Sequence, residues 1–507
     1  MKLSRDGIRE KTEWNDAGIA LPGYDVDAAA KKAKEAPRWA HFGIGNIFRI
    51  FIGGIADGML ESKDLDTALT CVETFDYDVV DKIYRPYDNL GLSVILRETG
   101  KRDYKVLGCF GEAVRAQADD PHAAGKYFPF VQADIDNGPD KVTGAMGVLT
   151  AMLLERYRHG KTPLALVSMD NCSQNGSLLR RSVLTMTEEW QKKGYVDEGF
   201  AAYVADEAVI AFPWSMIDKI TPRPNPDIAA DLEALGVENM QPIETSRRTY
   251  IAPFINGEDP QYLVIEDRFP NGRPALEKGK GVYLGDRETV NKSERMKVTA
   301  LLNPVHSAVA PLGVLLGEEY FAHMINHDPK LMKLAKMVAY TESMPMISDP
   351  GIINPKDFAD ELFQVRFVNE YLLDTNLRIV TDESQGLGVR FGETIKAYTA
   401  RYGSAGELTA IPLGIAGWLR YMMAVDDEGN SYVLAPDPMA GEMTEALKDV
   451  VLGKPESLTD QLRPILSNEK IFFTDLYANG LGEKIEEMFR EMIAGKGAVR
   501  ATVYKYM

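Results

Sequence analysis

The succession of strand and helix patterns constrains the fold of this chain more than any other feature. Over the first 200 residues, short apolar runs typical of strands alternate with helical periodicity, as in PLALVSMD (163–170) followed by a helix from Ser177 to Lys193. This alternation predicts a parallel sheet with helices on its faces. Further strand runs follow between 248 and 285, and the pattern is mainly helical after about residue 286. We therefore predict an α/β N-terminal domain with additional strands, followed by a mainly α-helical C-terminal domain.

The same pattern sets the predicted domain limits. Residues 1–37 are polar and are broken by Pro22 and Pro37, which is typical of a lead-in segment. Residues 38–285 contain the alternating strands and helices, and residues 286–507 are the helical domain. Ligands of such proteins usually lie between the two domains, so we expect the helical domain to bind the substrate.

Charge and cysteine content exclude several classes of partner. The 507 residues include 75 acidic and 57 basic side chains, for a net charge of −18, and there is no basic run. We therefore expect neither nucleic acid nor an anionic membrane as a partner.

Three widely spaced cysteines and a start without an apolar signal segment predict reduced thiols and a cytoplasmic location. We expect a monomer or a small homo-oligomer.

No metal site is predicted. The six histidines form neither a zinc-finger pattern with cysteines nor an HExxH motif. His323 and His327 do stand four residues apart, but this spacing is more typical of a solvated helix face.

A glycine turn follows the first strand of the α/β domain. The strand RWAHF (38–42) runs into Gly43-Ile-Gly45 and then into an apolar helix, so that backbone N–H groups can approach a pyrophosphate closely. The third glycine of the usual fingerprint is absent, and a purely structural strand-to-helix turn is the alternative. With the turn as a dinucleotide site, the domain is of the Rossmann type, and the candidate cofactor-binding residues are Gly43, Gly45, Asn46, Ile47 and Phe48.

The next strand ends in an acidic residue. Glu73, in ALTCVETF (68–75), is the candidate for binding the ribose hydroxyls, although it lies further from Gly45 than the usual spacing of about 20 residues. A carboxylate there repels a 2′-phosphate, so the sequence favours NAD over NADP.

Two further motifs combine polar residues with an apolar context. Residues 168–176, SMDNCSQNG, come straight after a buried strand, where α/β sheets place ligand contacts, although an Asx-type turn capping the next helix is equally compatible.

The segment ERMKVTALLNPVHS (294–307) contains a lysine, an amide and a histidine that need polar partners. Taken singly, Lys297 fits a solvated helix face and His306 a core histidine.

Taken together, these segments resemble a known family. HFGIGNIFR, SMDNCSQNG, FPWSMIDKITPRP, EDRFPNGRPALE, ERMKVTALLNPVHSAVAPLG, RFVNEYLLD and RFGETIKAY, spread over about residues 38–425, are similar to the mannitol dehydrogenase family. The resemblance implies a Rossmann-type NAD-binding domain and a helical substrate-binding domain. It also implies NAD-dependent, metal-independent interconversion of a secondary alcohol of an open-chain polyol or sugar acid and its ketone.

The resemblance also implies roles for individual residues. Lys297 matches the general base, and Glu294 matches a carboxylate that supports proton exit. Asn171 and Asn303 match amides that form an oxyanion hole. The positions that match or lie near the substrate site are His306, Asp218, Arg366, Lys396, Arg390 and Arg223.

The chain departs from the family pattern at two places. Five residues, instead of four, separate Lys297 from Asn303, and Glu370 stands where the family has proline. On a regular α-helix the extra residue changes the angle between Lys297 and Asn303 from about 140° to about 240°. We therefore predict a break or a one-residue π-bulge between Lys297 and Pro304, with Asn303 near a helix boundary and both side chains facing one cleft with His306.

Within the family, the cations at Lys396, Arg390 and Arg223 favour a substrate with a carboxylate, and hence D-mannonate and D-fructuronate. Mannitol 2-dehydrogenase and tagaturonate reductase activities are the alternatives. A protein that senses a nucleotide without catalysis is the alternative from a different class.

Overall fold

The computed structural model describes residues 1–115 and 129–507. The chain forms two compact units, Met1–Val290 and Asn291–Met507. The limit between them falls inside the helix Arg287–Arg295, whereas the predicted limit lies just before that helix.

The strands of the described chain all lie in the N-terminal unit. They are β1 (Ile19–Ala20), β2 (Ala40–Phe42), β3 (Leu69–Glu73), β4 (Gly91–Leu96), β5 (Arg102–Leu107), β6 (Phe110–Arg115), β7 (Leu164–Ala165), β8 (Ile210–Ala211), β9 (Ser215–Asp218), β10 (Ile243–Glu244), β11 (Tyr250–Ile251), β12 (Phe254–Gly257), β13 (Tyr262–Glu266) and β14 (Val282–Gly285).

The described residues of this unit contain ten α-helices, and the last one continues into the C-terminal unit. They are α1 (Lys11–Asp16), α2 (Val26–Glu35), α3 (Gly53–Glu61), α4 (Tyr77–Val79), α5 (Pro129–Asn137), α6 (Ala145–Arg158), α7 (Asn175–Lys192), α8 (Glu198–Ala205), α9 (Pro226–Ala234) and α10 (Arg287–Arg295).

The remaining α-helices belong to the C-terminal unit. They are α11 (Leu302–Leu315), α12 (Phe321–His327), α13 (Pro329–Lys336), α14 (Pro355–Glu361), α15 (Asn376–Ile379), α16 (Glu383–Leu387), α17 (Glu393–Tyr402), α18 (Ala410–Tyr421), α19 (Ala440–Leu447), α20 (Arg463–Leu466), α21 (Glu469–Phe472), α22 (Gly482–Met492) and α23 (Ala498–Tyr506).

Both units also contain π-helical turns, in which backbone N–H groups bond five residues back. They are Phe48–Ile52, Val80–Tyr84, Met296–Leu301, Met337–Ser343, Leu362–Arg366 and Gly388–Gly392.

The sheet that carries the glycine turn is parallel, as predicted. Its order is β2-β3-β6, and His41 pairs with Cys71 in the register of β2 and β3. Parallel strands need helical crossovers, and the segment between β2 and β3, which includes α3, supplies one. Strands β7 and β8 form a second parallel pair, while the other sheets are mixed or antiparallel. The predicted Rossmann-type α/β domain with additional strands is therefore confirmed.

Some boundaries differ from the sequence-based expectation. Only Leu164–Ala165 of the predicted strand 163–170 pairs in a sheet, and the helix after it begins at Asn175. The lead-in is an integral part of the N-terminal unit, because β1 pairs with β5 and Trp14 is fully buried.

The core of the C-terminal unit lies around α11 and α18. Every residue of α18 is buried, and Gly414 lets it approach α11 closely, since an added Cβ would lie 2.8 Å from the Cα of Ala308. The helical stretch Arg287–Leu315 is long and apolar enough to cross a membrane by length and composition, but 78% of its most apolar window is buried within the protein, as in a core helix. The predicted helical C-terminal domain is confirmed.

Candidate active site

The turn after β2 has the geometry that a phosphate-binding turn requires. Gly43 has φ +81°, a left-handed conformation that disfavours other residues, and its N–H donates to the Val72 carbonyl at 2.9 Å. A Cβ added at Gly43 or Gly45 would meet no atom within 4 Å, so the space beside the turn is open to a ligand. Phe48 is buried and begins a π-helical turn, whereas Ile47 is exposed.

Glu73 joins the ends of β2 and β3. It is the last residue of β3 and is 5% exposed. Its Oε2 accepts a hydrogen bond from the Ile44 N–H at 3.2 Å. Its Oε1 accepts from the N–H groups of the next three residues, 74–76, at 2.9–3.2 Å. The structure therefore brings Glu73 and the glycine turn together, as the sequence predicted.

The residues of this turn fit a dinucleotide. Asn46 donates from Nδ2 to the Tyr250 carbonyl at 3.5 Å, while its buried Oδ1 has no hydrogen-bond partner among the described residues. A buried polar atom without a partner is costly unless a ligand or water satisfies it. The space at Gly43 and Gly45 and the Asn46 Oδ1 without a partner together fit a ligand that has hydrogen-bond donors.

Asn171 lies in the exposed turn between β7 and α7, at the carboxyl end of β7. The turn is held by Asn175, which is 1% exposed. The Asn175 Oδ1 accepts from the Ser215 N–H at 3.0 Å. Its Nδ2 lies 2.9 Å from both the Asp170 and the Ser215 carbonyl oxygens, and an amide nitrogen has two hydrogens to donate. Asn175 thus fixes the position of Asn171 relative to β9.

The helix after this turn also depends on a glycine. A Cβ added at Gly176 would lie 2.6 Å from the Phe212 carbonyl oxygen and 2.9 Å from that of Pro213. The first turn of α7 therefore presses directly on the segment that precedes β9. Asp218 ends that strand and is 3% exposed.

Sequence reasoning treated Asn175 and Gly176 only as a helix cap. The structure shows instead that both residues connect the Asn171 turn to β9. Their position inside the SMDNCSQNG motif was a signal for this role, but the partner strand could not be identified from the sequence.

Lys297 lies in the predicted π-bulge. The turn Met296–Leu301 is π-helical, and the Leu302 N–H donates to the Lys297 carbonyl, five residues back. The bulge absorbs one residue, so the angle between Lys297 and Asn303 returns to that of a five-residue separation, about 140°. Asn303 is the second residue of α11, which follows the π-helical turn without a gap, so it lies at the change from π to α geometry inside the helical stretch Arg287–Leu315 and not at a helix end. The expectation that these side chains face one cleft stays a prediction.

Lys297 is only 3% exposed and Glu294, one helical turn earlier, is 9% exposed. Two other π-helical turns, Met337–Ser343 and Gly388–Gly392, pack against the turn of Lys297. Such turns are rare and concentrate at functional sites, so their meeting around one buried lysine marks this part of the C-terminal unit.

His306 projects from α11 into an aromatic cluster. Its ring lies 4.8 Å from that of Phe321 and 5.3 Å from that of Phe367. Phe367 directly follows Arg366, which is 3% exposed and ends the π-helical turn Leu362–Arg366. The structure therefore brings His306 and Arg366 into one region.

Two other predicted cations are engaged in ion pairs. Arg390 donates from Nη1 to Glu383 at 2.6 Å and to the Ser307 hydroxyl at 3.0 Å, which ties it to the residue after His306. Lys396 pairs with Glu393, which also binds Arg295 at 3.2 Å. Arg223 precedes α9 in the N-terminal unit, where its carbonyl oxygen accepts from the Asn256 Nδ2 at 3.3 Å.

Glu370, which replaces the proline of the family pattern, accepts a hydrogen bond from the Asn326 Nδ2 at 2.7 Å. Among residues 1–115 and 129–507, no group of three or more His, Cys, Asp or Glu side chains is arranged to hold a metal ion.

Comparison with known proteins identifies the family. The model of the mannitol dehydrogenase Rossmann domain matches residues 37–278, and that of the mannitol dehydrogenase C-terminal domain matches residues 289–493. The chain therefore belongs to the mannitol dehydrogenase family.

Individual relatives cover nearly the whole chain. A protein of Thermotoga maritima named D-mannonate oxidoreductase is 44% identical, over 99% of this chain and 98% of its own length. Two solved structures share the fold. A D-sorbitol dehydrogenase in substrate-free form is 22% identical with a TM-score of 0.76, over 96% of this chain and 98% of its own. A Pseudomonas fluorescens mannitol 2-dehydrogenase in complex with NAD and D-mannitol is 23% identical with a TM-score of 0.72, over 100% and 99%.

Proposed function

We propose that this chain is an NAD-dependent oxidoreductase that interconverts a secondary alcohol of an open-chain sugar acid and its ketone, with D-mannonate and D-fructuronate as the pair. The observation that carries the substrate assignment is the 44% identity, over 99% of the chain, to the relative named D-mannonate oxidoreductase. Family membership supports the reaction class.

The glycine turn and Glu73 are the proposed cofactor site. The backbone N–H groups at Gly43–Phe48 would hold the pyrophosphate of NAD, and Glu73 would accept hydrogen bonds from its ribose hydroxyls. Each carboxylate oxygen has two lone pairs, so the single bond from Ile44 leaves Oε2 free to accept another donor. When bound there, NAD would supply the acceptor for the hydride that leaves the alcohol carbon.

Lys297 is the proposed base that removes the hydroxyl proton of the substrate. Burial of Lys297 acts against the charged ammonium, whereas an ionised Glu294 one helical turn away acts in favour of it. Glu294, one turn away on the same helix, passes the proton on to solvent. With an amine in this role, the proton transfer needs no metal ion.

Charge develops on the substrate oxygen as its proton leaves. The amide N–H groups of Asn171 and Asn303 stabilise that charge, and each such donor contributes about 10²- to 10³-fold in rate. His306 binds a substrate hydroxyl, with its ring held by Phe321 and Phe367.

The remaining proposed contacts concern the rest of the substrate. Asp218 binds hydroxyl groups, while Arg366 and Lys396 provide positive charge for a carboxylate. Lys396 is paired with Glu393, which reduces the positive charge that Lys396 offers to a carboxylate. We further propose that the protein acts in the cytoplasm as a monomer or small homo-oligomer, with no nucleic-acid or membrane partner.

A turnover panel tests the proposal. Mannonate, fructuronate, mannitol, fructose and tagaturonate are each assayed with the matching oxidised or reduced cofactor, in its NAD and NADP forms. We expect the highest kcat/KM for fructuronate with NADH. Faster turnover of fructose or tagaturonate would reassign the substrate, comparable rates with NADPH would refute the NAD preference, and NADH binding without any turnover would indicate a nucleotide sensor.

Replacement of Lys297 tests the mechanism. Lys297→Ala should lower kcat by at least 10²-fold and leave the Kd of NADH nearly unchanged, because the amine acts on the substrate. Lys292→Ala, in the preceding helix α10, is the matched control and should keep wild-type kcat. If Lys297→Ala retains more than about a tenth of the wild-type kcat, another group is the base.

A further inference from the structure

An exposed aromatic ring stands beside the proposed ribose-binding carboxylate. Phe75 is 64% exposed and lies two residues after Glu73. A single exposed apolar side chain needs no explanation by itself. This one is distinguished by the way two separate segments of the chain hold it in place.

The turn that carries Phe75 is wound around the Glu73 carboxylate. The Phe75 N–H donates to the Glu73 Oε1 at 2.9 Å, between similar bonds from the residues on either side. The backbone of the aromatic residue is therefore fixed relative to the group proposed to bind the ribose.

The tip of the hairpin formed by β10 and β11 is fastened to the same turn. The Thr245 hydroxyl donates to the buried carboxylate of Asp76 at 2.6 Å, and the Ser246 N–H donates to Asp78 at 2.8 Å. The latter bond contributes most to lowering the Asp78 pKa to about 2.

These hydrogen bonds from the hairpin tip place a cation, Arg247, over the ring of Phe75. The guanidinium of Arg247, at the hairpin tip, lies 5.4 Å from the centre of the Phe75 ring. Phe75 is still 64% exposed with the guanidinium over its ring, so much of the side chain remains available to a ligand. A planar guanidinium over an aromatic face is stabilising and limits the rotation of both side chains.

We propose that Phe75, backed by Arg247, is the platform on which the adenine ring of the cofactor stacks. This inference rests on the proposed function, because it requires that the glycine turn and Glu73 bind a dinucleotide. Adenine is bonded to the ribose that Glu73 holds, so it must lie within a few bonds of that carboxylate. Arg247 contributes by positioning Phe75, whereas Phe75 touches the base.

Binding of ADP-ribose, which contains the adenine half of the cofactor but no nicotinamide, tests the platform. Stacking of a base on an aromatic side chain corresponds to about a 5- to 150-fold change in affinity on replacement by alanine. We expect Phe75→Ala to raise the Kd of ADP-ribose within this range in isothermal titration calorimetry, and Phe75→Tyr to restore most of the affinity. Arg247→Gln should raise the Kd less than Phe75→Ala does.

Two controls separate stacking from other effects. Met152→Ala removes an exposed apolar side chain from α6, whose buried residues belong to a different core cluster from those of β3. This substitution should leave the Kd of ADP-ribose unchanged. Reduced nicotinamide mononucleotide lacks adenine, so its kcat/KM should be the same for Phe75→Ala and the wild type.

The outcomes distinguish this inference from the proposed function. Failure of the wild type to bind ADP-ribose overturns both. Wild-type affinity in Phe75→Ala overturns the platform alone and leaves the dinucleotide site intact. The platform is also wrong if Arg247→Gln weakens only a 2′-phosphorylated ADP-ribose, because the arginine would then be a phosphate contact.

Discussion

We predict that the protein loses stability in mild acid because of His41. It lies in the middle of β2, directly before the glycine turn, and its ring is stacked on that of Phe48 with 4.3 Å between the ring centres. Burial lowers the pKa of this histidine from 6.5 to about 4, because the imidazolium ion is poorly solvated there. The folded protein therefore holds His41 neutral at pH values where the unfolded chain binds a proton.

The sign and size of the effect follow from these two pKa values. The pKa of His41 is lower in the folded protein than in the unfolded chain. The contribution of neutral His41 to stability is therefore present above pH 6.5 and is lost as the pH falls toward 4. Between pH 7 and pH 5 the difference in proton binding amounts to about 2 kcal/mol of unfolding free energy. This is a substantial part of the unfolding free energy of a typical folded protein, which is about 5–15 kcal/mol.

Urea denaturation at pH 7 and pH 5 measures the effect. Trp14, Trp39, Trp190 and Trp214 lie in the N-terminal unit and only Trp418 in the C-terminal unit, so tryptophan fluorescence follows mainly the unit that contains His41. His41→Phe keeps an aromatic ring against Phe48 and has no proton to bind. Its stability should change by about 2 kcal/mol less than that of the wild type between the two pH values.

Comparison of the two proteins isolates His41, because all other titrating groups are shared. Equal pH dependence in His41→Phe and the wild type would mean that the folded protein accepts the proton on His41 without cost. The burial argument would then be refuted for this strand.

Two further substitutions test how buried polar groups hold the structure. Asn175→Ala should destabilise the protein by about 2–4 kcal/mol and lower kcat. The Ser215 N–H loses its acceptor, and the Asp170 carbonyl in the Asn171 turn loses its donor. A urea denaturation midpoint equal to that of the wild type would contradict this. Glu342→Gln should lower Tm and cost about 1–3 kcal/mol of unfolding free energy. The buried carboxylate accepts bonds at 2.6–2.8 Å from the N–H groups of Thr409 and of the first two residues of α18, and the exposed Glu445→Gln is the control.

The sequence predicted the features that depend on local pattern. The glycine turn and the end of β3 at Glu73 were predicted correctly, because each follows from short-range geometry. The π-helical turn that contains Lys297 was predicted from the one residue by which this chain exceeds the family spacing. The extra residue between Lys297 and Asn303 was informative for the same reason, since one residue changes a helical angle by about 100°.

Features that depend on distant partners were not predictable. The role of Asn175 requires Ser215, forty residues away, and the position of Arg247 on Phe75 requires a hairpin that pairs only in the folded chain. The short strand at Leu164–Ala165 illustrates the same limit, because an apolar run marks burial but does not determine how many residues find a partner strand.

The π-helical turn at Met296–Leu301 separates distance along the chain from direction in space. A helix that takes in one residue as a π-helical turn lengthens the interval along the chain between Lys297 and Asn303 and keeps the helical angle expected of the shorter interval. A search of genomes with a fixed Lys-to-Asn interval would therefore pass over this chain and any other that has the same insertion. When such chains are aligned, the gap belongs inside the turn, where it corresponds to one extra backbone unit, and the lysine and the asparagine remain equivalent on either side of it.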